Sequence, residues 1–386
     1  MVVTQKSPEK TFRSFLFSAF IVFLFFGLLE AVLHVFGFQP TISYKKFSIP
    51  AWMEELDPIE LARYQSYVAD QGFVNEDAYA YRPDLRYGYL LKPNLQLTVS
   101  NYSSHIFIDK LPLWTIVSDA QGNRISAQNP TAEHSATHTL YVLGDSTSFG
   151  WGVDFEDSYP QQLAGKLKSS GIVVKNYSTP GFTSYQGRLL LEDKVEIKDG
   201  DIVLVSFGAN DSYPSSKSDR VRFQARNSMA GKINWSLNRL LLFKWMRGLV
   251  HSLPEPKIME IKNRRVSLEE YLENLDTIFI KIQNRGGELR FINICNGEQY
   301  SSVAKRAAKA AQVPFYDFPE KFNPYLPKVH DFFPEKLVDY FEVYGELLEK
   351  ETQLTFLFPD LCHPNAIGHG LIADILFKGL EGEVLN

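Results

Sequence analysis

The pattern of hydrophobic and polar positions changes character three times along the chain. Residues 15–38, FLFSAFIVFLFFGLLEAVLHVFGF, are almost wholly apolar, with Glu30 and His34 the only strongly polar members. Crossing a bilayer core takes roughly 20 apolar residues in a helix, so this run of 24 predicts a transmembrane span. Residues 81–130 alternate apolar and polar positions, punctuated by Pro, Gly and Asn, which predicts short antiparallel strands. From Leu140 onwards, strand-like and helix-like stretches take turns. LYVLG, IVVKNYS, DIVLVSFG, ELRFINI and VPFYDF read as strands. SYPQQLAGKLKSS, TSYQGRLLLEDKVEI, VSLEEYLENLDTIFIKIQNRG, SSVAKRAAKAAQ and PNAIGHGLIADILFKGL read as helices. Such alternation predicts a parallel sheet covered on both faces, with its chemistry gathered beyond the carboxyl ends of the strands.

The expected organisation is a cytoplasmic N-terminus over 1–14, a transmembrane helix over 15–38 and a juxtamembrane, β-rich extension over 39–137. An α/β domain over 138–386 follows, interrupted by a basic insertion at 213–265. Lys6, Lys10 and Arg13 stand before the span, and basic residues stay on the cytoplasmic side. The expected topology therefore leaves the α/β domain periplasmic or extracellular, although Lys45 and Lys46 count against it. A cleaved signal peptide is the alternative; the run is longer than a usual signal core and no A-x-A-like site stands near residue 38. Glu30 and His34, four apart, share a helix face near the outer end, where snorkelling to the interface is the expected account.

Composition adds limits. With 45% hydrophobic and 22% charged residues the chain is that of a folded protein, and a net charge of −5 gives no nucleic-acid signal. The insertion departs from this balance, carrying twelve Lys or Arg against three acids. Within it, NWSLNRLLLFKWMRGLVHSL has helical spacing with apolar and basic positions interleaved. That stretch reads as a helix packed on the core with a solvated basic rim, as a lid, or as a surface for anionic lipid or an acidic glycan. The two cysteines, Cys295 and Cys362, lie in no metal-ligand spacing, and no metal or cofactor is expected.

Four short motifs remain, in a fixed order: GDS at 144–146, PGFTSYQG with Gly181, FGAND with Asn210, and DLCHPN with Asp360 and His363. Acyl transfer at a serine needs a base, a partner that orients the base, and donors for the oxyanion. The chain offers Ser146 as nucleophile, His363 as base and Asp360 as its partner. The backbone N–H groups of Ser146 and Gly181 and the side-chain amide of Asn210 are the candidate oxyanion donors. Each motif alone also reads as an ordinary turn or helix cap; the conjunction carries the chemistry.

With these residues in place the chain resembles the SGNH (GDSL-type) hydrolase family, whose four blocks centre on Ser, Gly, Asn and His. The blocks fall at Ser146, Gly181, Asn210 and His363, with the family's DxxH aspartate at Asp360. The resemblance covers roughly 138–380; Thr147 stands where Leu is usual, and no GxSxG is present. It implies a three-layer α/β/α flavodoxin-like fold with a central parallel sheet of about five strands. In that fold Cys295 and Cys362 come to the same edge of the sheet, as a disulfide or as two buried thiols. The implied activity is that of a membrane-anchored serine esterase cleaving an acyl ester, such as an O-acetyl group of an envelope glycan or a lipid ester. Acyl transfer between envelope polymers by the same residues and an inactive envelope scaffold are the alternatives.

Overall fold

Five parallel strands follow from the apolar runs after residue 138: β8 (His138–Gly144), β9 (Ile172–Asn176), β10 (Ile202–Ser206), β11 (Glu288–Asn293) and β12 (Phe315–Asp317). They form one sheet in the order β12-β11-β10-β8-β9. The computed structural model describes residues 8–38, 41–43, 73–75, 80–100, 113–127, 137–251, 263–326, 352–358 and 360–384. Two units make up the chain, one of residues 1–45, 72–79 and 225–259, the other of 46–71, 80–224 and 260–386. The expected juxtamembrane stretch lies mostly outside the described residues, as do Lys257, Lys262, His105, His134 and His330.

In the larger unit the central strands β8, β10 and β11 are buried on both faces, and their side chains separate with period two. Tyr141 and Leu143 of β8 join Val203 and Val205 of β10 in one core. Leu140 and Val142 join Ile202 and Leu204 in the other. The first core is closed by α4 (Ser184–Asp193), α8 (Leu268–Gln283) and α9 (Glu298–Ala311), the second by α3 (Tyr159–Leu167) and α11 (Ala366–Val384). This is the expected three-layer α/β/α arrangement. Pairing runs in register from Ile202↔Leu140 to Ser206↔Gly144, so the ends of β8 and β10 lie level. The second strand, β9, lies on one side of β8 and the third, β10, on the other. The strand order therefore reverses between β8 and β10, and such a reversal opens a crevice at the carboxyl ends.

The alternating segment before residue 130 forms short antiparallel strands, as its pattern predicts. β3 (Tyr81–Asp84) pairs with β4 (Gly88–Leu91). β6 (Leu113–Ser118) pairs with both β5 (Gln96–Ser100) and β7 (Arg124–Ile125).

In the smaller unit, α1 runs over Pro8–Val35, so the helix begins earlier and ends three residues sooner than the apolar run. Gly37 stops it in the left-handed region at φ 63°, with Gly37 N–H donating to His34 O and Phe38 N–H to Leu33 O. Residues 12–35 are long and apolar enough to span a membrane, and none of that stretch is buried. β1 (Thr41–Ser43) pairs with β2 (Phe73–Asn75). The helical spacing of residues 234–253 is divided between two helices, α6 (Met229–Leu237) and α7 (Leu241–His251). Asn238 ends the first, its N–H bonded to Asn234 O. Glu30 starts the second: its two carboxylate oxygens accept the backbone N–H groups of Leu241 and Leu242, each at 2.8 Å. Glu30 also lies 3.3 Å from His34 Nε2. The carboxylate that the sequence assigns to snorkelling is thus a helix cap, because the first amides of a helix have no partner of their own.

Candidate active site

Ser146 opens α2 (Ser146–Phe149), a short helix directly after β8. Asp145 caps it, its Oδ1 accepting from Thr147 N–H at 2.9 Å and from the Thr147 hydroxyl at 2.8 Å. Its flanking residues are buried, and Ser146 is the partly exposed position at this strand end. The Ser146 hydroxyl lies 2.8 Å from His363 Nε2. On the other side of the ring, His363 Nδ1 lies 2.5 Å from Asp360 Oδ2. That carboxylate makes Nδ1 the protonated nitrogen, which leaves Nε2 free to accept from Ser146.

The turn carrying the histidine is organised by its own aspartate. Asp360 Oδ1 accepts from the N–H groups of Cys362 and His363, both at 3.0 Å, and Leu361, between Asp360 and Cys362, adopts φ 53°. A disulfide joins Cys362 to Cys295, just beyond β11, so of the two states open for these cysteines the bonded one is found. Asn365 caps α11, its side-chain oxygen accepting from Ile367 and Gly368 N–H at 3.0 Å. His369 is buried behind, accepting from Tyr159 N–H, and burial pushes its pKa down to about 3. It is a neutral packing residue. Burial alone would also depress His363, but the charge and hydrogen bond of Asp360, helped by Asp145, hold its pKa above that of a free imidazole.

Asn210 follows β10, and its side-chain amide donates to Asp145 Oδ2 at 3.0 Å. One N–H of that amide is thereby fixed beside the Ser146 loop, and among the described residues the second has no acceptor. Burial raises the Asp145 carboxyl, against bonds from Thr147 and Asn210 that favour its charged form.

Gly181 occupies the loop after β9. Thr179 N–H donates to Gly144 O at 3.1 Å, tying this loop to the end of β8. Gly181 has φ 79°, and a Cβ there would lie 2.4 Å from the Tyr89 hydroxyl, so glycine is required twice over. All five predicted residues therefore lie at the same end of the sheet. Ser146, His363 and Asp360 form one hydrogen-bonded chain, Asn210 joins through Asp145, and Gly181 is tied to the strand that delivers the serine.

Three supporting residues carry no sequence signal of their own. Tyr89 on β4 donates its hydroxyl to Pro180 O at 2.7 Å, holding the peptide whose N–H belongs to Gly181. Arg265 donates to Gly181 O at 2.7 Å and is itself held by Asp219 at 2.9 Å. Arg124 on β7 is buried and donates to the carbonyls of Phe149, Gly150 and Val153 at 2.6, 3.0 and 2.7 Å, satisfying the end of α2. Two of the three come from the β-rich extension. Replacing Tyr89 by Phe keeps the ring packed against Phe182, with centroids 5.3 Å apart, and removes the bond to Pro180. The expected result is a fall of about tenfold in kcat, the worth of one neutral hydrogen bond. KM and melting temperature should stay near wild type; equal losses in turnover and melting temperature would indicate packing alone.

The sequence model of the GDSL-like lipase/acylhydrolase family matches residues 142–371. The chain belongs to this family. It is 36% identical over 83 residues to an arylesterase of Vibrio mimicus, an alignment covering 21% of this chain and 42% of that relative. The chain thus spans less than half the length of that curated relative. Among solved structures it is similar to a psychrotrophic esterase, EstA, from Pseudoalteromonas sp., with 17% identity over 64% of this chain and all of the other, at a TM-score of 0.36. It is also similar to a catalytic mutant of Axe2, an acetylxylan esterase from Geobacillus stearothermophilus, with 15% identity over 64% and 95% of the two chains, at a TM-score of 0.37. The family match begins within β8, so β3 to β7, with Tyr89 and Arg124, lie before it.

Proposed function

We propose that the chain is a carboxylic ester hydrolase working through a serine nucleophile and tethered to a membrane by α1. One observation carries this reading: the unbroken line of hydrogen bonds from the Ser146 hydroxyl through His363 to Asp360. In the proposed reaction His363 Nε2 takes the Ser146 proton as Oγ attacks the ester carbonyl. The tetrahedral oxyanion is met by the N–H groups of Ser146 and Gly181 and the free N–H of Asn210. The imidazolium, stabilised by Asp360, then gives its proton to the departing alkoxide, and water releases the acyl group by the reverse sequence. The expected substrates are acyl esters, with O-acetyl groups of envelope glycans and lipid esters the two classes to compare. Lys6, Lys10 and Arg13, which precede the apolar run, support an N-terminus on the cytoplasmic side and a catalytic unit in the periplasm or outside the cell.

The test is hydrolysis of p-nitrophenyl esters of graded chain length by the full chain, followed across pH. A protonated imidazole cannot accept the serine proton, so kcat/KM should be low in acid and rise as pH passes the His363 pKa. That pKa is raised, so the midpoint should lie above the ordinary imidazole value of 6.5. A profile flat through this region would remove His363 as the base, and no turnover on any ester would remove the assignment.

A further inference from the structure

Glu30 places a carboxyl group inside the apolar stretch of α1, and its hydrogen bonds explain what it is for. Its carboxylate holds the first two amides of α7, so it fixes where α7 stands along α1. Glu30 lies five residues before Val35, the last residue of α1. At 1.5 Å per residue that is about 7.5 Å inside the end of the helix. Helices that lie in a membrane interface sink their apolar face about 5–10 Å into the boundary between headgroups and acyl chains. With the end of α1 at the membrane surface, the cap would bring the start of α7 to interfacial depth.

The two helices have the chemistry for that position. Met229, Ile233 and Leu237 follow one another at four-residue spacing along α6 and are all exposed. Trp245, Met246 and Leu249 are exposed on α7. Between Met229 and His251 stand Lys232, Arg239, Lys244 and Arg247, and no Asp or Glu. Apolar stripes with exclusively basic charges suit a surface that is apolar beneath and anionic above. A soluble polyanion would engage the basic residues and leave the stripes in water. The cap also satisfies amide donors that a region poor in water could not, and it sets a negative charge against the positive end of the helix dipole.

We propose that α6 and α7 form an interfacial docking element, seated on the anionic outer surface of the membrane that α1 crosses. This rests on the reading of α1 as a membrane anchor. Its consequence is that the protein touches the bilayer at two places, a span and a flat basic-apolar pair, joined through Glu30.

The test uses the full chain in phosphatidylcholine vesicles with and without phosphatidylglycerol. Tryptophan quenching by lipids brominated high on the acyl chain is compared with quenching by aqueous iodide. The difference between wild type and Trp245→Phe isolates the signal of Trp245. The docking element predicts that this signal is quenched by brominated lipid and shielded from iodide, more strongly with phosphatidylglycerol present. Lys244→Glu with Arg247→Glu should abolish the phosphatidylglycerol effect, and Glu30→Ala should open Trp245 to iodide. An alkaline wash reads the anchor separately. Chain that stays in the membrane while Trp245 is open to iodide, or is shielded from both quenchers as by a protein partner, overturns the docking element alone. Retention with a Trp245 signal indifferent to lipid charge overturns its anionic preference, and release by the wash overturns anchor and docking together.

Discussion

Ser146→Ala is expected to lower kcat by roughly 10⁴-fold or more, because the covalent step then has no nucleophile. The change is small in structural terms. The cap of α2 uses the Asp145 side chain and the Thr147 amide, neither of which involves the Ser146 hydroxyl. The hydroxyl's hydrogen bond is to His363, whose ring keeps its bond to Asp360. Melting temperature should therefore move little while turnover nearly disappears. Covalent labelling by a fluorophosphonate should disappear with it. Some rate above the uncatalysed reaction should survive, since the oxyanion donors and the bound geometry remain. Normal labelling of the variant would show that another side chain is the nucleophile.

The second large effect is expected at Asn210. Removing a single oxyanion donor typically costs about 10²–10³ in kcat. Asn210→Ala takes away the amide N–H left over from the bond to Asp145, and it also leaves Asp145 Oδ2 without that donor in a buried setting. Both effects fall on the transition state and its support, so KM should change far less than kcat. A loss of less than tenfold would mean that the amide serves only to hold Asp145. Steady-state kinetics on one p-nitrophenyl ester, with urea denaturation in parallel, separates the two roles.

The parts of the site that the sequence discloses share a physical property. Ser146 lies two residues beyond β8 and Asn210 four beyond β10, and a parallel sheet brings the ends of such strands level. Asp360 and His363 are three apart on one turn, so their contact needs no knowledge of the rest of the chain. The supporting residues have neither advantage. Tyr89 is one of nineteen tyrosines, and its meaning depends on a hairpin folding back ninety-one residues to reach Pro180. Arg265 looks like one more cation in a basic stretch until its bond to Gly181 O is seen. Arg124 precedes the family match and acts on carbonyls, which every residue possesses. Glu30 misleads for the same reason: its partners are backbone amides 211 and 212 residues away, and amides leave no trace in a pattern of side chains. The break between α6 and α7 is hidden by that same invisible cap.

One covalent bond ties the turn that carries His363 to chemistry outside the protein. The disulfide closes a loop across 67 positions and ends on the residue next to His363. Crosslinks of this length restrict the unfolded chain by about 4 kcal/mol in the chain-entropy account. Thiols stay reduced in the cytosol and oxidise outside it. With the catalytic unit outside the cytoplasm, as proposed above, the imidazole turn would gain its tether only after crossing, and synthesis and ripening of the site would be separate events in separate compartments.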